Sequence, residues 1–179
     1  MPYITQSERE KYQPIINKVL SSIDGSPMEQ ANYFSFFIDY LRQALRKIAD
    51  PGFLYLLHFG AGTGREAKLR EYAEQCAKIL PGNMEVRAGE LNYVLSTIAW
   101  GLLGDAPGRK PARYCMRSFI KGAIWRVLFL NLNSFNGEEY ILFTGVLTDV
   151  IDEMYRRKTS FFETEKMNTN GDLWSDIHG

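Results

Sequence analysis

The stretch "SPMEQANYFSFFIDYLRQALRKIADPG", residues 26–52, decides how this chain folds. Ser26 suits the N-cap of a helix, Pro27 suits its first turn, and Glu29 stands where a capping box places a glutamate. Aromatic and leucine side chains then recur at helical spacing until Ala49, after which an Asp-Pro-Gly sequence follows. The stretch therefore predicts one long amphipathic helix. Its inward-facing side chains are predicted to be Tyr33, Phe36, Phe37, Tyr40, Leu41 and Leu45.

Helical periodicity continues through most of the chain. It predicts further helices over residues 7–23, 65–80, 89–103, 112–130 and 140–158. Ser7 and Glu10 form a second capping-box pattern, and Pro14 offers an alternative start for the same helix. Residues 53–59 fit either a short buried strand or a helical turn, and the β-branched and aromatic residues of "IWRVLFLNLNSF" at 124–135 leave room for a strand. We therefore expect a mainly α protein, a single compact domain of five to six helices with room for a short β element.

Composition and charge narrow the function classes. The 179 residues are 45% hydrophobic and 13% aromatic, which is enough for a packed core in one domain. The 21 basic residues balance 21 acidic residues, so we do not expect binding to bulk DNA or RNA, which favours a basic excess. The two cysteines and two histidines stand too far apart for a zinc site or a disulfide framework. The start lacks a signal-peptide pattern and no apolar run reaches membrane length, so we expect a soluble cytoplasmic protein without a membrane partner.

A glycine-rich segment, "LLHFGAGTGREA" at residues 56–67, has glycines at Gly60, Gly62 and Gly64. It resembles the first motif of S-adenosylmethionine-dependent methyltransferases, in which a strand, G-x-G-x-G and a helix let the backbone approach the ligand. A doubly wound sheet around this motif needs a second strand, and "NMEVR" at 83–87 is the only candidate. We therefore expect a loop that caps the following helix, and no cofactor. The alternative is a small S-adenosylmethionine- or nucleotide-dependent enzyme that uses this loop.

No arrangement of catalytic side chains stands out in the sequence. Asp149 and Asp152 share one helix face and offer the oxygen ligands that a hard metal ion prefers, with Glu90 and Glu153 as further carboxylates near the apolar stripes. The same spacing is ordinary for a solvated helix face, so we predict no metal site. His58 has no partner at a spacing that indicates a general base. The sequence therefore predicts a protein that is not an enzyme.

The basic residues carry more information. Arg113, Arg117 and Lys121 recur every four residues, so one face of the predicted helix carries three cations, with Tyr114 beside them. Arginine forks match phosphate oxygens, and aromatic rings offer a stacking surface for a base. A second cluster, "YRRK" at 155–158, ends the last helix. The pattern predicts a compact anionic ligand such as a nucleotide, although ordinary surface and helix-end charge would look the same.

Three collinear segments resemble a known family. They are "MPYITQSEREKYQPIINKV" at 1–19, "GELNYVLSTIAWGLL" at 89–103 and "GVLTDVIDEMYRRKTSFFETEKMNTNGD" at 145–172. Together they resemble a family of short helical proteins from bacteriophages and prophages, mostly of unknown function. This chain differs by an apparent insertion at about residues 25–84, and by "TDVIDEMYRR" where family members have "ECVKLEFYRR". We expect one helical domain over 1–167 that includes the insertion, followed by a polar tail over 168–179.

The resemblance implies a phage-encoded protein that acts in the host cytoplasm by stoichiometric binding. We hypothesise a non-catalytic sponge that sequesters a cyclic oligonucleotide signal of antiphage defence, such as a cyclic dinucleotide. Strongly apolar helices in a small chain also predict a homo-oligomer. The alternative is a protein–protein interaction module that inhibits a host protein or scaffolds phage assembly. The predicted ligand-binding residues are Arg113, Arg117, Lys121, Asn92, Tyr93, Trp100, Tyr155 and Arg156.

Overall fold

The computed structural model of the chain describes residues 4–52, 64–82, 84–104, 118, 120–127, 129, 137–156, 164 and 168. These residues are predominantly helical and contain no strand, which confirms the mainly α prediction. Six helices follow one another there, namely α1 (Gln6–Ser22), α2 (Pro27–Ala49), α3 (Gly64–Ile79), α4 (Met84–Leu103), α5 (residues 120–127) and α6 (Gly137–Met154). The predictions for residues 53–59 and for the polar tail beyond residue 168 lie outside the described residues.

The α2 helix begins and ends where the sequence predicts. The Glu29 backbone N–H donates to Ser26 Oγ at 3.4 Å, and the Ser26 N–H donates to Glu29 Oε2 at 2.8 Å, so the capping box is complete. At the other end Asp50 is the C-cap. Gly25 precedes the cap with a φ of +104°, and a Cβ there would lie 2.7 Å from Glu29 Oε2. The short turn between α1 and α2 therefore requires glycine.

The start of α1 differs from the prediction. Thr5, not Ser7, is the N-cap, because the Glu8 N–H donates to Thr5 Oγ1 at 3.3 Å and the Thr5 N–H donates to Glu8 Oε2 at 2.6 Å. Both serine and threonine begin an S/T-x-x-E pattern here, and the earlier one adds two residues to the helix. Pro14 lies inside α1 rather than at its start. It is exposed, so the carbonyl that it leaves without a helical partner can bond to water.

The start of α4 is also earlier than predicted. The helix begins at Met84 rather than at Gly89, so residues 84–87 of "NMEVR", the candidate second strand, are helical. Arg87 Nε donates to the Pro81 carbonyl at 2.8 Å, and its Nη2 donates to the Gly82 carbonyl at 3.2 Å. These bonds join the first turn of α4 to the end of the preceding segment. The doubly wound sheet that the methyltransferase reading requires loses its candidate second strand.

The helices pack as neighbouring pairs: α2 against α3, α4 against α6, and α1 against both α3 and α4. α2 and α3 run in the same direction. The Arg65 guanidinium lies 4.9 Å from the Tyr33 ring centroid near the start of both helices, while Lys47 and Lys78 line one groove near both ends. The connection between α2 and α3 therefore joins opposite ends of the pair. These ends are about 24 Å apart, the length of the 16-residue α3 helix.

All six helices contribute to one hydrophobic core. Its largest fully buried side chains include Tyr12, Ile16, Phe34, Phe37, Leu41, Leu91, Leu95, Ile98 and Ile120. α2 also buries an ion pair, in which Asp39 accepts hydrogen bonds from Arg42 Nε at 3.2 Å, Arg42 Nη2 at 3.0 Å and Gln43 Nε2 at 2.6 Å. A buried charge needs this kind of pairing. Among the described residues, no helix combines the length and the apolar character that a membrane crossing requires.

Candidate ligand-binding groove

A groove between α1, α4 and α6 brings several sequence-predicted residues together. Its volume is about 140 Å³, and its walls are mainly apolar. The residues that line it are Arg9, Tyr93, Ser96, Thr97, Trp100, Glu153 and Met154. Two of the predicted stacking residues, Tyr93 and Trp100, therefore lie at the same site.

The spacing of side chains along α4 supplies the aromatic wall. Tyr93, Thr97 and Trp100 are four and three residues apart, so they share one helix face. Leu91 and Leu95 are completely buried in the core, which fixes the rotation of α4 about its axis. The aromatic face is consequently left half-buried, with its rings accessible from the groove.

Charged side chains stand at two sides of the groove. Arg9 Cζ lies 5.8 Å from the centroid of the Tyr93 ring, within cation–π range. Arg9 is exposed, and the ion pairs among the described residues do not include it. Glu153 accepts hydrogen bonds from Arg156 Nε at 3.0 Å and Nη2 at 2.9 Å. The charges of the two lining residues Arg9 and Glu153 cancel, and Arg156 adds one positive charge beside the groove, where it can attract an anionic ligand.

Asn92 lies behind the groove rather than in its wall. It is buried, its Nδ2 donates to Asp149 Oδ2 at 3.3 Å, and its Oδ1 accepts from Ser96 Oγ at 2.8 Å. Both ends of the amide are engaged, so Asn92 links α4 to α6 and supports the groove. Asn92 bonds to Asp149, and Trp100 and Met154, which come later in the same two helices, line one groove. α4 and α6 therefore also run in the same direction.

The predicted basic residues are only partly placed by the structure. Lys121 is exposed on α5 and is not among the residues that line the groove. Arg113 and Arg117 lie outside the described residues, so their assignment to phosphates stays a prediction. Tyr155 is exposed, and with Arg156 it directly follows Met154 at the α6 side of the groove.

Sequence reasoning missed Arg9. It stands between two glutamates on the polar side of α1, where its charge looks like ordinary surface charge. Only the packing of α1 against α4 brings it over Tyr93. One signal was present, because Tyr12 follows three residues later and is completely buried, so Arg9 flanks the buried stripe of its helix.

A buried carboxyl group joins α1 to α4 one helical turn before Tyr93. The Tyr12 hydroxyl is hydrogen-bonded to Glu90 Oε2 and lies 3.2 Å from the Ile79 carbonyl oxygen. Burial raises the pKa of the Glu90 carboxyl, and the negative charge of Glu8 raises this pKa further. Glu90 precedes Tyr93 by one turn, so this contact positions the aromatic wall relative to α1.

The other candidate residues form no comparable cluster in the described part of the chain. Asp149 and Asp152 are exposed on α6, and no group of three potential metal ligands occurs among the described residues. Of the glycine-rich segment, Gly64 begins α3, whereas Gly60, Gly62 and His58 lie outside the described residues.

Comparison with known proteins assigns no family and no function to the chain. The resemblance to phage proteins stays a prediction that depends on its three sequence segments. No protein-family model, no curated protein and no solved structure matches the chain.

Proposed function

We propose that this protein binds a nucleotide-like anion without transforming it, and that one base of the ligand enters the groove between α1, α4 and α6. The observation that carries the proposal is the convergence of two aromatic side chains and an exposed guanidinium, from Tyr93, Trp100 and Arg9, on one small groove. Aromatic stacking together with a cation is a common way to bind a base and its phosphate.

The volume of the groove limits what can enter it. A cavity of about 150 Å³ holds one benzene-sized ring, whereas complete small-molecule sites enclose roughly 300–1,000 Å³. A groove of about 140 Å³ therefore accepts one planar group and leaves the sugar and phosphates at its rim. Stacking on Tyr93 and Trp100 is tolerant of the identity of the base, because every base has a π-face.

The rim supplies the charge that the phosphate needs. Arg156 is already paired with Glu153, so we assign the first phosphate contact to Arg9, whose guanidinium can bond two phosphate oxygens at once. Arg113, Arg117 and Lys121 stay our candidates for contacts to further phosphates of the same ligand.

A cyclic oligonucleotide fits this division of roles because it offers several bases and several phosphates. One base would occupy the groove while the ring and the phosphates stay outside. The resemblance to phage proteins favours an anti-defence role, in which binding alone removes a cyclic oligonucleotide signal. A protein of this kind needs no catalytic group and releases its ligand unchanged.

Isothermal titration calorimetry of the full chain against cyclic di- and trinucleotides, mononucleotides and S-adenosylmethionine tests the proposal. We expect at least one cyclic nucleotide to bind and to be recovered intact by chromatography. Trp100→Ala is expected to weaken binding about 10- to 100-fold, because a stacked base contributes roughly 1–3 kcal/mol. Ile48→Ala, in the groove between α2 and α3, is the matched control and is expected to bind like the wild type.

Each other result points elsewhere. Equal affinity of the wild type and Trp100→Ala would place the ligand outside this groove. A cleaved product would identify an enzyme, and binding of S-adenosylmethionine alone would favour the glycine-rich segment. Absence of binding across the panel would reject the proposal in favour of a protein partner.

A further inference from the structure

Two exposed helix faces lie outside the groove, and stacking of a base in the groove does not account for their apolar side chains. Ile141 on α6 is 71% exposed and Phe129, just after α5, is 66% exposed, the highest values among the large apolar side chains described. Trp125 on α5 is also exposed. Contiguous exposed apolar surface of this kind marks an interaction site.

The α5 face combines aromatic rings with positive charge. Trp125 and Phe129 are one turn apart, and their ring centroids are separated by 5.7 Å. Lys121 and Arg126 are exposed beside them, and this part of the sequence contains no acidic residue. Ile124 on the other side is completely buried in the core, so the rings are held toward solvent.

The α6 face has the complementary shape and charge. Ile141, Gly145, Thr148 and Asp152 are exposed at spacings of four, three and four residues, which places them on one stripe. A Cβ built on Gly145 would meet no atom within 4 Å, so the stripe has an open gap at its centre. The helix sequence "GEEYILFTGVLTDVIDEM" contains five acidic residues and no lysine or arginine.

We infer that the α5 face of one copy packs on the α6 face of a second copy. The aromatic rings then fill the gap at Gly145, and the helices run antiparallel. Phe129 lies against Ile141 at one end of the contact, and Lys121 lies against Asp152 at the other. Large rings are matched with a small residue, and cations are matched with anions.

The same chain carries both complementary faces, which is why a second copy is the occupant. Under two-fold symmetry the contact occurs twice, which closes the interface. The net charge of zero means that two copies do not repel each other at long range. Aromatic residues and arginine are the side chains that interface cores favour. This inference does not depend on the proposed ligand.

Sedimentation velocity and native mass spectrometry of the full chain test the dimer. We expect a species of twice the 20.6 kDa chain mass whose population rises with concentration. Trp125→Ala with Phe129→Ala is expected to raise the dimer dissociation constant by about 30-fold or more, the scale of an interface hot spot. Met28→Ala, which truncates an exposed apolar side chain on α2, is the matched control and leaves the dissociation constant unchanged.

Two further variants separate the interface from the fold. Gly145→Leu is expected to leave the monomer at least as thermally stable as the wild type, because leucine has a higher helix propensity than glycine. The same substitution is expected to abolish the dimer, because the leucine side chain fills the gap. Lys121→Asp and Asp152→Lys are each expected to weaken the dimer, and the two changes together are expected to restore it.

Several outcomes would overturn the inference. One is a wild type that is monomeric at every accessible concentration, and another is a dimer that tolerates Gly145→Leu. A double charge variant that is no better than the singles would also contradict the pairing of Lys121 with Asp152. A monomer that binds oligonucleotides as the wild type but loses this binding in Trp125→Ala would identify the α5 face as a stacking surface instead.

Discussion

The groove between α2 and α3 is larger than the groove between α1, α4 and α6, at about 250 Å³ against about 140 Å³. Its lining residues are Ala44, Lys47, Ile48, Glu74 and Lys78. Two lysines and one glutamate line the larger groove, so its lining is more positive than that of the smaller groove, in which the charges of Arg9 and Glu153 cancel. The difference lies in the aromatic side chains, which line only the smaller groove.

This comparison teaches that neither volume nor charge singles out the candidate site. The larger groove lies along the surface where α2 packs against α3, and its charged residues are ordinary surface lysines and a glutamate. The smaller groove adds Tyr93 and Trp100, whose faces can hold a planar group. We therefore expect changes near α2 and α3 to affect stability, and changes in the smaller groove to affect ligand binding.

The largest effect is expected from Asp39→Ala in α2. The substitution removes the Asp39 carboxylate that accepts two hydrogen bonds from the buried Arg42 guanidinium, and breaking a buried pair costs roughly 3–5 kcal/mol of unfolding free energy. Urea denaturation measures the loss, and the folded fraction is expected to bind ligand as the wild type does. Asp39→Leu combined with Arg42→Met is expected to lose less, because no charge stays buried. A loss below about 1 kcal/mol would show that Arg42 does not depend on Asp39.

A charge reversal placed in either groove tests the comparison directly. Arg9→Glu removes the guanidinium over Tyr93 and is expected to weaken nucleotide binding about 10- to 100-fold, since a hydrogen bond to a charged group contributes roughly 1.5–3 kcal/mol. Lys47→Glu makes the same charge change in the larger groove and is expected to leave the affinity unchanged. Calorimetry measures both, and equal losses would mean that only the overall charge matters.

Thr5→Ala is expected to have a smaller effect, which extends to the candidate site. Loss of the N-cap is expected to lower the unfolding free energy by about 1 kcal/mol and to loosen the first turn of α1, which carries Arg9. Ser7→Ala is the control and is expected to change the unfolding free energy by less than about 0.5 kcal/mol, because Ser7 is not the cap. Chemical denaturation of both variants distinguishes the two positions, and a larger loss in Ser7→Ala would contradict the assigned cap.

Glu90→Gln is expected to have the smallest effect at neutral pH, within about 1 kcal/mol, because glutamine can still accept from Tyr12. The raised pKa means that the folded protein keeps the Glu90 proton at pH values where the unfolded chain, whose glutamate has its ordinary pKa, has lost it. The wild type therefore loses unfolding free energy as the pH rises between these two pKa values. The glutamine variant lacks this loss, so its stability relative to the wild type decreases as the pH falls through that window. Denaturation over a pH series measures this change, and a constant difference would contradict it.

Local signals were sufficient for α2 and insufficient at the starts of α1 and α4. Ser26 and Glu29 stand alone as a capping pattern, so the sequence predicts that boundary correctly. Thr5 and Ser7 begin overlapping patterns of equal quality, and local chemistry does not choose between them. The first turn of α4 bonds through Arg87 to carbonyls of the preceding segment, a contact that hydrophobic periodicity does not reveal.

The candidate site was predictable where it lies on one helix and not where it joins several. Tyr93 and Trp100 are seven residues, or two turns, apart on α4, and they lie on a different face from the buried leucines. That the two rings share a face therefore follows from spacing alone. Arg9 reaches Tyr93 across more than eighty residues of sequence, and only tertiary packing brings them together. The hydrogen bond between Asn92 and Asp149 likewise joins separate helices. The sequence alone therefore predicts Asn92 as a ligand-binding residue, whereas in the structure it is buried and links α4 to α6.

The two helix pairs that run in the same direction have a consequence for how the chain folds. Antiparallel neighbours meet across a short turn, whereas the contact of Tyr33 with Arg65 and that of Asn92 with Asp149 close large loops. The entropy of closing these loops is lost before the contacts form. Folding rates fall as the sequence separation of native contacts rises. We therefore expect this helical protein to fold more slowly than an up-and-down bundle of the same length.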